Sequence, residues 1–152
     1  MKKIIVTGGL GFIGSNLIKI LLKKDFFIIN IDRVSYASNF YNTREFIKNN
    51  NYKFIRCNIN NSKRLFSIFK KFKPEGIFNL AAETHVDRSI DGPHPFITNN
   101  INGTFSLLEC FRKYSKIKKN SKLIHISTDE VYGDVLKGRS HENHPYKPSS
   151  PY

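Results

Sequence analysis

Four glycines in seven residues constrain this chain more than any other feature. The apolar run Lys3 to Thr7 reads as a buried strand and leads into Thr7-Gly8-Gly9-Leu10-Gly11-Phe12-Ile13-Gly14. Read from Gly9 the loop is G-x-G-x-x-G; read from Gly8 it is G-x-x-G-x-x-G. Glycines at these positions permit a tight turn and let backbone approach a pyrophosphate. The helix that follows offers unpaired N–H groups and the positive end of its dipole. A glycine turn in an unrelated α/β domain is the alternative. The context favours a dinucleotide, because a strand precedes the loop, a helix follows it, and Asp32 closes the second strand 18 residues past Gly14.

Asp32 points to a free ribose 2′-hydroxyl. A carboxylate accepts two hydroxyl hydrogen bonds and repels a 2′-phosphate, so the expected cofactor is NAD rather than NADP. Arg33 follows directly and is able to pair with a phosphate, but Asp32 holds the strand-end position.

Apolar runs alternate with amphipathic stretches along the whole chain. Strands are expected at Lys3 to Thr7, Phe27 to Ile31, Lys53 to Arg56, Gly76 to Leu80 and Lys122 to Ser127. The first helix is expected over Phe12 to Lys24, with Ile13, Leu17, Ile20 and Leu21 on its apolar face. A weaker helix is expected over Thr43 to Lys48. Ser62 is the expected cap of a helix running to Phe72, with Leu65, Phe66, Ile68 and Phe69 apolar and Pro74 closing it. Pro95 to Tyr114 reads as one long helix. Strand–helix alternation of this kind predicts an α/β fold, a doubly wound parallel sheet with right-handed crossovers. Residues 133 to 151, rich in Gly, Pro, Ser and His, read as an ordered loop.

The chain has 152 residues, with 39% hydrophobic and 24% charged, which suits one domain and excludes a disordered composition. The net charge is +13. The lysines are scattered, as on a solvated surface, and no alternation of basic and aromatic residues marks a nucleic-acid face. Neither a nucleic acid nor a membrane is an expected partner: no segment approaches a membrane span. Met1 to Val6 runs into the glycine loop, so this stretch is not expected to be a signal peptide. Two cysteines, Cys57 and Cys110, cannot form a disulfide scaffold, so a reducing, cytoplasmic location is expected. His85, His94, His141 and His144 are dispersed over loops, and no metal site is expected.

Ligands of doubly wound sheets bind at the carboxyl ends of the strands. After the fourth strand, Ala81 and Ala82 are small enough to let a cofactor pass, and Thr84 offers a hydroxyl; His85, Asp87 and Arg88 read as a local salt-bridged cap. After the fifth strand come Thr128, Asp129 and Glu130. Adjacent carboxylates repel, so one tends to hold a proton while the other stays ionised, which puts an acid and a base in one pocket. An exposed acidic turn is the alternative.

Taken together, these motifs resemble the extended short-chain dehydrogenase/reductases, and within them the dTDP-glucose 4,6-dehydratases. The landmarks are Gly8 to Ser15, Ile31-Asp32, Tyr36-Ala37-x-Asn39, Ala81 to Ile90, Asn100-x-x-Gly103-Thr104, Ile126 to Gly133 and Pro148 to Tyr152. Thr128-Asp129-Glu130 is the most specific, since related sugar-nucleotide epimerases and decarboxylases usually carry other residues there. The resemblance implies a Rossmann-type NAD-binding domain over residues 1–152. It further implies a chain truncated before the last strands, lacking the C-terminal substrate domain and inactive alone.

It also implies site residues. Tyr152 matches the tyrosine of a Tyr-x-x-x-Lys motif, the base for the glucosyl 4-hydroxyl. Its ring would lack a following helix, and its lysine would fall four positions later. Glu130 matches the base for the C5 proton and Asp129 the acid for the departing 6-hydroxyl. Thr128 matches a residue that hydrogen-bonds substrate near C4. Gly8, Gly11, Phe12, Ile13, Gly14, Asp32, Arg33, Val34, Ser35, Asn58, Ile59, Leu80, Ala81, Ala82, Glu83, Thr84 and Asn99 match cofactor positions, and Thr84 also matches a substrate contact. A nucleotide sugar is the implied substrate and a homodimer the implied assembly. Departures occur at Asn58, where the family usually has Asp, and at Asn99, Arg33 and Thr84, which replace Thr, Lys and Ser. A UDP-sugar epimerase or decarboxylase and a non-catalytic NAD-binding remnant are the competing readings.

Overall fold

A computed structural model describes residues 1–152. Alternating apolar side chains along the strands let both faces of a sheet be buried, and the chain uses both. Strands β1 (Lys3–Thr7), β2 (Phe27–Asp32), β3 (Tyr52–Arg56), β4 (Gly76–Asn79) and β5 (Lys122–His125) pair in parallel in the order β3-β2-β1-β4-β5. Ile4, Val6 and Ile28 face α1 (Phe12–Leu22), while Ile5, Ile29, Ile31 and Ile77 face α2 (Ser62–Phe72) and α5 (Gly103–Ser115). This is the expected doubly wound arrangement. The chain reverses direction of sheet growth between β3 and β4, so the carboxyl ends of β1 and β4 flank a crevice.

Helix α2 buries Leu65, Ile68, Phe69 and Phe72, a stripe at helical spacing. Its cap is Asn61, whose side chain accepts from Arg64 N at 3.1 Å, rather than Ser62. It ends at Lys73 in the left-handed region, φ 51°. From α5, Tyr114 is fully buried, donates from Oη to the Pro74 carbonyl at 2.9 Å and meets Phe69 edge-on at 5.6 Å.

Several local expectations are corrected. In α1 the buried apolar side chains are Ile18, Leu21 and Leu22, whereas Ile13 and Ile20 are exposed at 63% and 54%. The buried stripe is therefore rotated from the expected one. The segment expected as a helix from Thr43 becomes a 3-10 turn at Phe40–Thr43 followed by turns. The long helix from Pro95 is interrupted. A short α4 (His94–Phe96) passes through a π-helical segment, Ile97–Asn102, into α5. Asn99 gives the reason: its Nδ2 takes the Pro95 carbonyl at 2.7 Å, the acceptor an α-helical ladder would give to the Asn99 N–H. An additional helix, α3 (Val86–Asp91), was not expected; the segment's apolar positions are too few to show a period.

Candidate active site

The glycine loop works by closeness. Gly8 has φ +70°, and a Cβ there would stand 2.7 Å from the Leu80 carbonyl oxygen, so the loops after β1 and β4 touch through bare backbone. Gly8 N donates to Ile31 O at 2.9 Å and Gly11 N to Gly8 O at 3.1 Å, which fixes the turn. Helix α1 then starts with no side-chain cap at Gly11. The N–H groups of Phe12, Ile13 and Gly14 have no partner within the chain. Three unpaired donors at a positive helix end, over a glycine cradle that side chains would fill, suit the pyrophosphate of a dinucleotide.

Asp32 ends β2 and is buried. Its Oδ1 accepts from Val34 N and Ser38 Oγ, both at 2.8 Å, and its Oδ2 accepts from Leu10 N at 3.1 Å. The carboxylate thus ties together the loops after β1 and β2, and Oδ2 retains a lone pair for a ribose hydroxyl. Val34 is held with φ 65°, a left-handed conformation that a β-branched residue rarely adopts. Arg33 reaches across the cleft. Its guanidinium pairs with Glu83 and donates from Nη1 to Asn99 Oδ1 at 3.2 Å.

Below the cleft, the last residues of three strands form a polar chain. Thr7 Oγ1 donates to Asn79 Oδ1, and Asn79 Nδ2 lies 2.9 Å from His125 Nδ1. Thr7 Oγ1 also accepts from Ala81 N at 3.3 Å, so this chain orients the loop after β4. After β5, Thr128 caps a 3-10 turn at Asp129–Tyr132, its Oγ1 accepting from Glu130 N at 3.2 Å. Lys147 N donates to Val131 O at 2.9 Å and Ser149 Oγ to Asp134 Oδ1 at 3.0 Å, which pins the final loop back on this turn. Tyr152 does not stand unsupported: its ring meets the buried Phe96 edge-on, with centroids 6.3 Å apart.

The cleft so formed has a volume of about 660 Å³ and runs from the glycine loop to Thr128, Asp129 and Tyr152. A sequence profile described as GDP-mannose 4,6 dehydratase matches residues 5–152. The chain belongs to the GDP-mannose 4,6-dehydratase family. Within this dehydratase family, it is 42% identical over 99% of its length to the dTDP-glucose 4,6-dehydratase of Salmonella typhimurium, covering 46% of that protein. It is 44% identical over its full length to the Haemophilus influenzae enzyme of the same name, covering 47% of it. Among solved structures, Bacillus anthracis dTDP-glucose 4,6-dehydratase in complex with NAD superposes with a TM-score of 0.87 at 37% identity, over 100% of this chain and 46% of that one. The UDP-glucose 4-epimerase of Brucella ovis in complex with NAD gives a TM-score of 0.85 at 26% identity, over 100% of this chain and 43% of that one. The chain therefore spans about half the length of the relatives it matches.

Most residues proposed from the dehydratase-family motifs line one cleft. Gly8, Gly11, Phe12, Ile13, Gly14, Asp32, Arg33 and Ser35 line it from β1, α1 and β2. Asn58, Ile59, Leu80, Ala81, Ala82, Glu83, Thr84, Asn99, Thr128, Asp129 and Tyr152 complete it. Val34 and Glu130 do not line it. Ile31, Ala37, Ser38, Cys57, Ile126 and Ser127 line it without having been singled out as site residues. Ser38 was findable, as a small hydroxyl within reach of a strand-end carboxylate. The expected salt bridge at His85, Asp87 and Arg88 does not form: Arg88 instead lies over the Tyr36 ring, 4.3 Å from its centroid.

Proposed function

We propose that this chain carries the NAD-binding and proton-transfer half of a dTDP-glucose 4,6-dehydratase, a lyase that dehydrates a nucleotide-activated hexose for deoxysugar synthesis. The observation that carries this reading is the shared cleft. A glycine cradle with three unpaired N–H groups at one end and Thr128, Asp129 and Tyr152 at the other suit a dinucleotide lying against a sugar. The relatives' names supply the substrate class.

NAD, when bound, supplies the oxidant that takes hydride from C4 and later returns it to C6. The free N–H groups of Phe12 to Gly14 would hold its pyrophosphate and the remaining Asp32 lone pair its ribose. Ala81 and Ala82 leave room for it beside the backbone. Tyr152 Oη accepts the proton of the 4-hydroxyl, and Thr128 Oγ1 hydrogen-bonds the sugar near C4. Once C4 is a ketone, the C5 proton is acidic; by the family match Glu130, on the same turn as Asp129 but outside the cleft lining, takes it, and Asp129 protonates the 6-hydroxyl as it departs. Water is lost; Glu130 gives its proton back to C5 as hydride would return to C6, and the proton taken by Tyr152 replaces, through solvent, the one Asp129 gave up.

Residues 1–152 alone are not expected to turn over sugar nucleotide, because the matched relatives are about twice as long. The two free, buried cysteines suit a reducing cytoplasm. Ile101, Phe105 and Leu108 are exposed on one stripe along the π segment and α5, which supports a homodimer. The test joins residues 1–152 to the remaining half of the Haemophilus influenzae relative. The chimera should convert dTDP-glucose to the 4-keto-6-deoxy product, seen as loss of water by mass. A chimera that binds NAD and yields an epimer of unchanged mass overturns the reading.

A further inference from the structure

Arg33 stands where two cavities meet. It lines the main cleft and also a second pocket beyond the ribose corner, about 660 Å³ in volume, which it shares with Arg56 and Arg64. The β2–β3 register places Arg56 directly opposite Asp32. Neither Arg56 nor Arg64 takes part in an ion pair, and no Asp or Glu lines the pocket. Three arginines line this pocket, and three guanidiniums turned into it would form the kind of surface that takes a phosphate.

Asp32 opposes a phosphate at this corner, and Glu83 is a second opponent. Its side chain is only 7% exposed, and its backbone is fixed on both sides by Asn100: N donates to Oδ1 at 2.8 Å and O accepts from Nδ2 at 2.9 Å. A buried carboxylate is costly without a cation, so Glu83 draws Arg33 to the far wall of the cleft. Asn99 secures the same guanidinium, with its own amide anchored on Pro95 O. The arginine next to the ribose corner is thereby occupied.

We propose that Glu83 determines the choice between NAD and NADP: by holding Arg33, it disarms a three-arginine pocket that would otherwise accept a ribose 2′-phosphate. Asp32 discriminates by repulsion at the ribose, while Glu83 discriminates by withholding the compensating cation. This rests on the NAD reading above.

The test measures binding of NAD and NADP by calorimetry at one ionic strength. The proteins are the 152-residue chain, Glu83→Gln, Glu83→Gln with Arg33→Gln, and Arg56→Gln with Arg64→Gln. Glu83→Gln should raise the NADP-to-NAD affinity ratio about tenfold, the scale of one charge-assisted pair. Adding Arg33→Gln should remove that gain. The Arg56/Arg64 variant, altered only at the surface, should lower the NADP affinity and leave that for NAD unchanged; equal affinities to the parent for both cofactors overturn the pocket even if Glu83→Gln does not fold. A folded Glu83→Gln that binds NAD with an unchanged ratio overturns the inference alone. A parent chain that binds neither dinucleotide overturns the NAD reading and the inference with it.

Discussion

Gly14 lies against the turn that precedes it: a Cβ on Gly14 would stand 2.8 Å from the Gly9 Cα and closer still to the Gly8 carbonyl oxygen. Both obstacles are backbone, so neither can rotate aside. Gly14→Ala should push α1 away from the loop and separate its free N–H groups from the cradle. The expected result is loss of measurable NAD binding by calorimetry, with helix content by circular dichroism largely kept. NAD affinity within twofold of the parent would contradict this.

The two carboxylates after β5 should separate in kinetics. In the chimera with the Haemophilus influenzae half, Asp129→Asn and Glu130→Gln should each slow product formation by about 10²-fold or more, the usual scale of an acid or base. The first oxidation should survive, visible as reduced cofactor absorbing during a single turnover. Full turnover by the double variant would remove both residues from the mechanism.

Asn79 joins Thr7 to His125 beneath the cleft and is itself wholly buried. Asn79→Leu would leave Thr7 Oγ1 without that acceptor and loosen the loop that begins at Ala81. A loss of about 1–3 kcal/mol in urea unfolding is expected, the cost of an unsatisfied buried polar group. NAD affinity should fall with it.

Burial raises the Tyr114 phenol above its ordinary pKa, with the nearby Ser121 hydroxyl opposing the rise and the Glu75 charge adding to it. The folded state therefore keeps its proton where the unfolded chain, titrating near about 10, loses it. The stability from neutral Tyr114 is complete below that pH and declines as pH climbs through the higher folded value. Tyr114→Phe should lower stability at neutral pH by about 1–2 kcal/mol, since Pro74 O loses its donor. It should also flatten the decline above pH ~10, measured as urea midpoint against pH.

The sheet was legible because its strands are apolar runs bounded by Gly, Pro, Asn or charged residues, and because Gly8 to Gly14 fixes where the first crossover begins. The buried α1 stripe is shifted by one helical position from the expected one: Ile13 is apolar but lines the cleft instead of packing into the core. The break in the long helix depends on Asn99 bonding to Pro95, a side-chain choice that periodicity cannot register. The Arg33–Glu83 pair joins residues 50 positions apart, so only the folded chain reveals it.

The two cysteines sit in different parts of one apolar layer, Cys57 at the edge of the cleft and Cys110 on α5, 4% and 3% exposed. Burial raises both thiol pKa values, so neither offers much thiolate to an alkylating reagent while the chain is closed. Each labelling rate thus becomes a clock for a different opening. Cys57 times the parting of the ribose corner and slows when a ligand covers it. Cys110 times the lifting of α5 from α2 and is indifferent to that ligand unless the whole layer opens together.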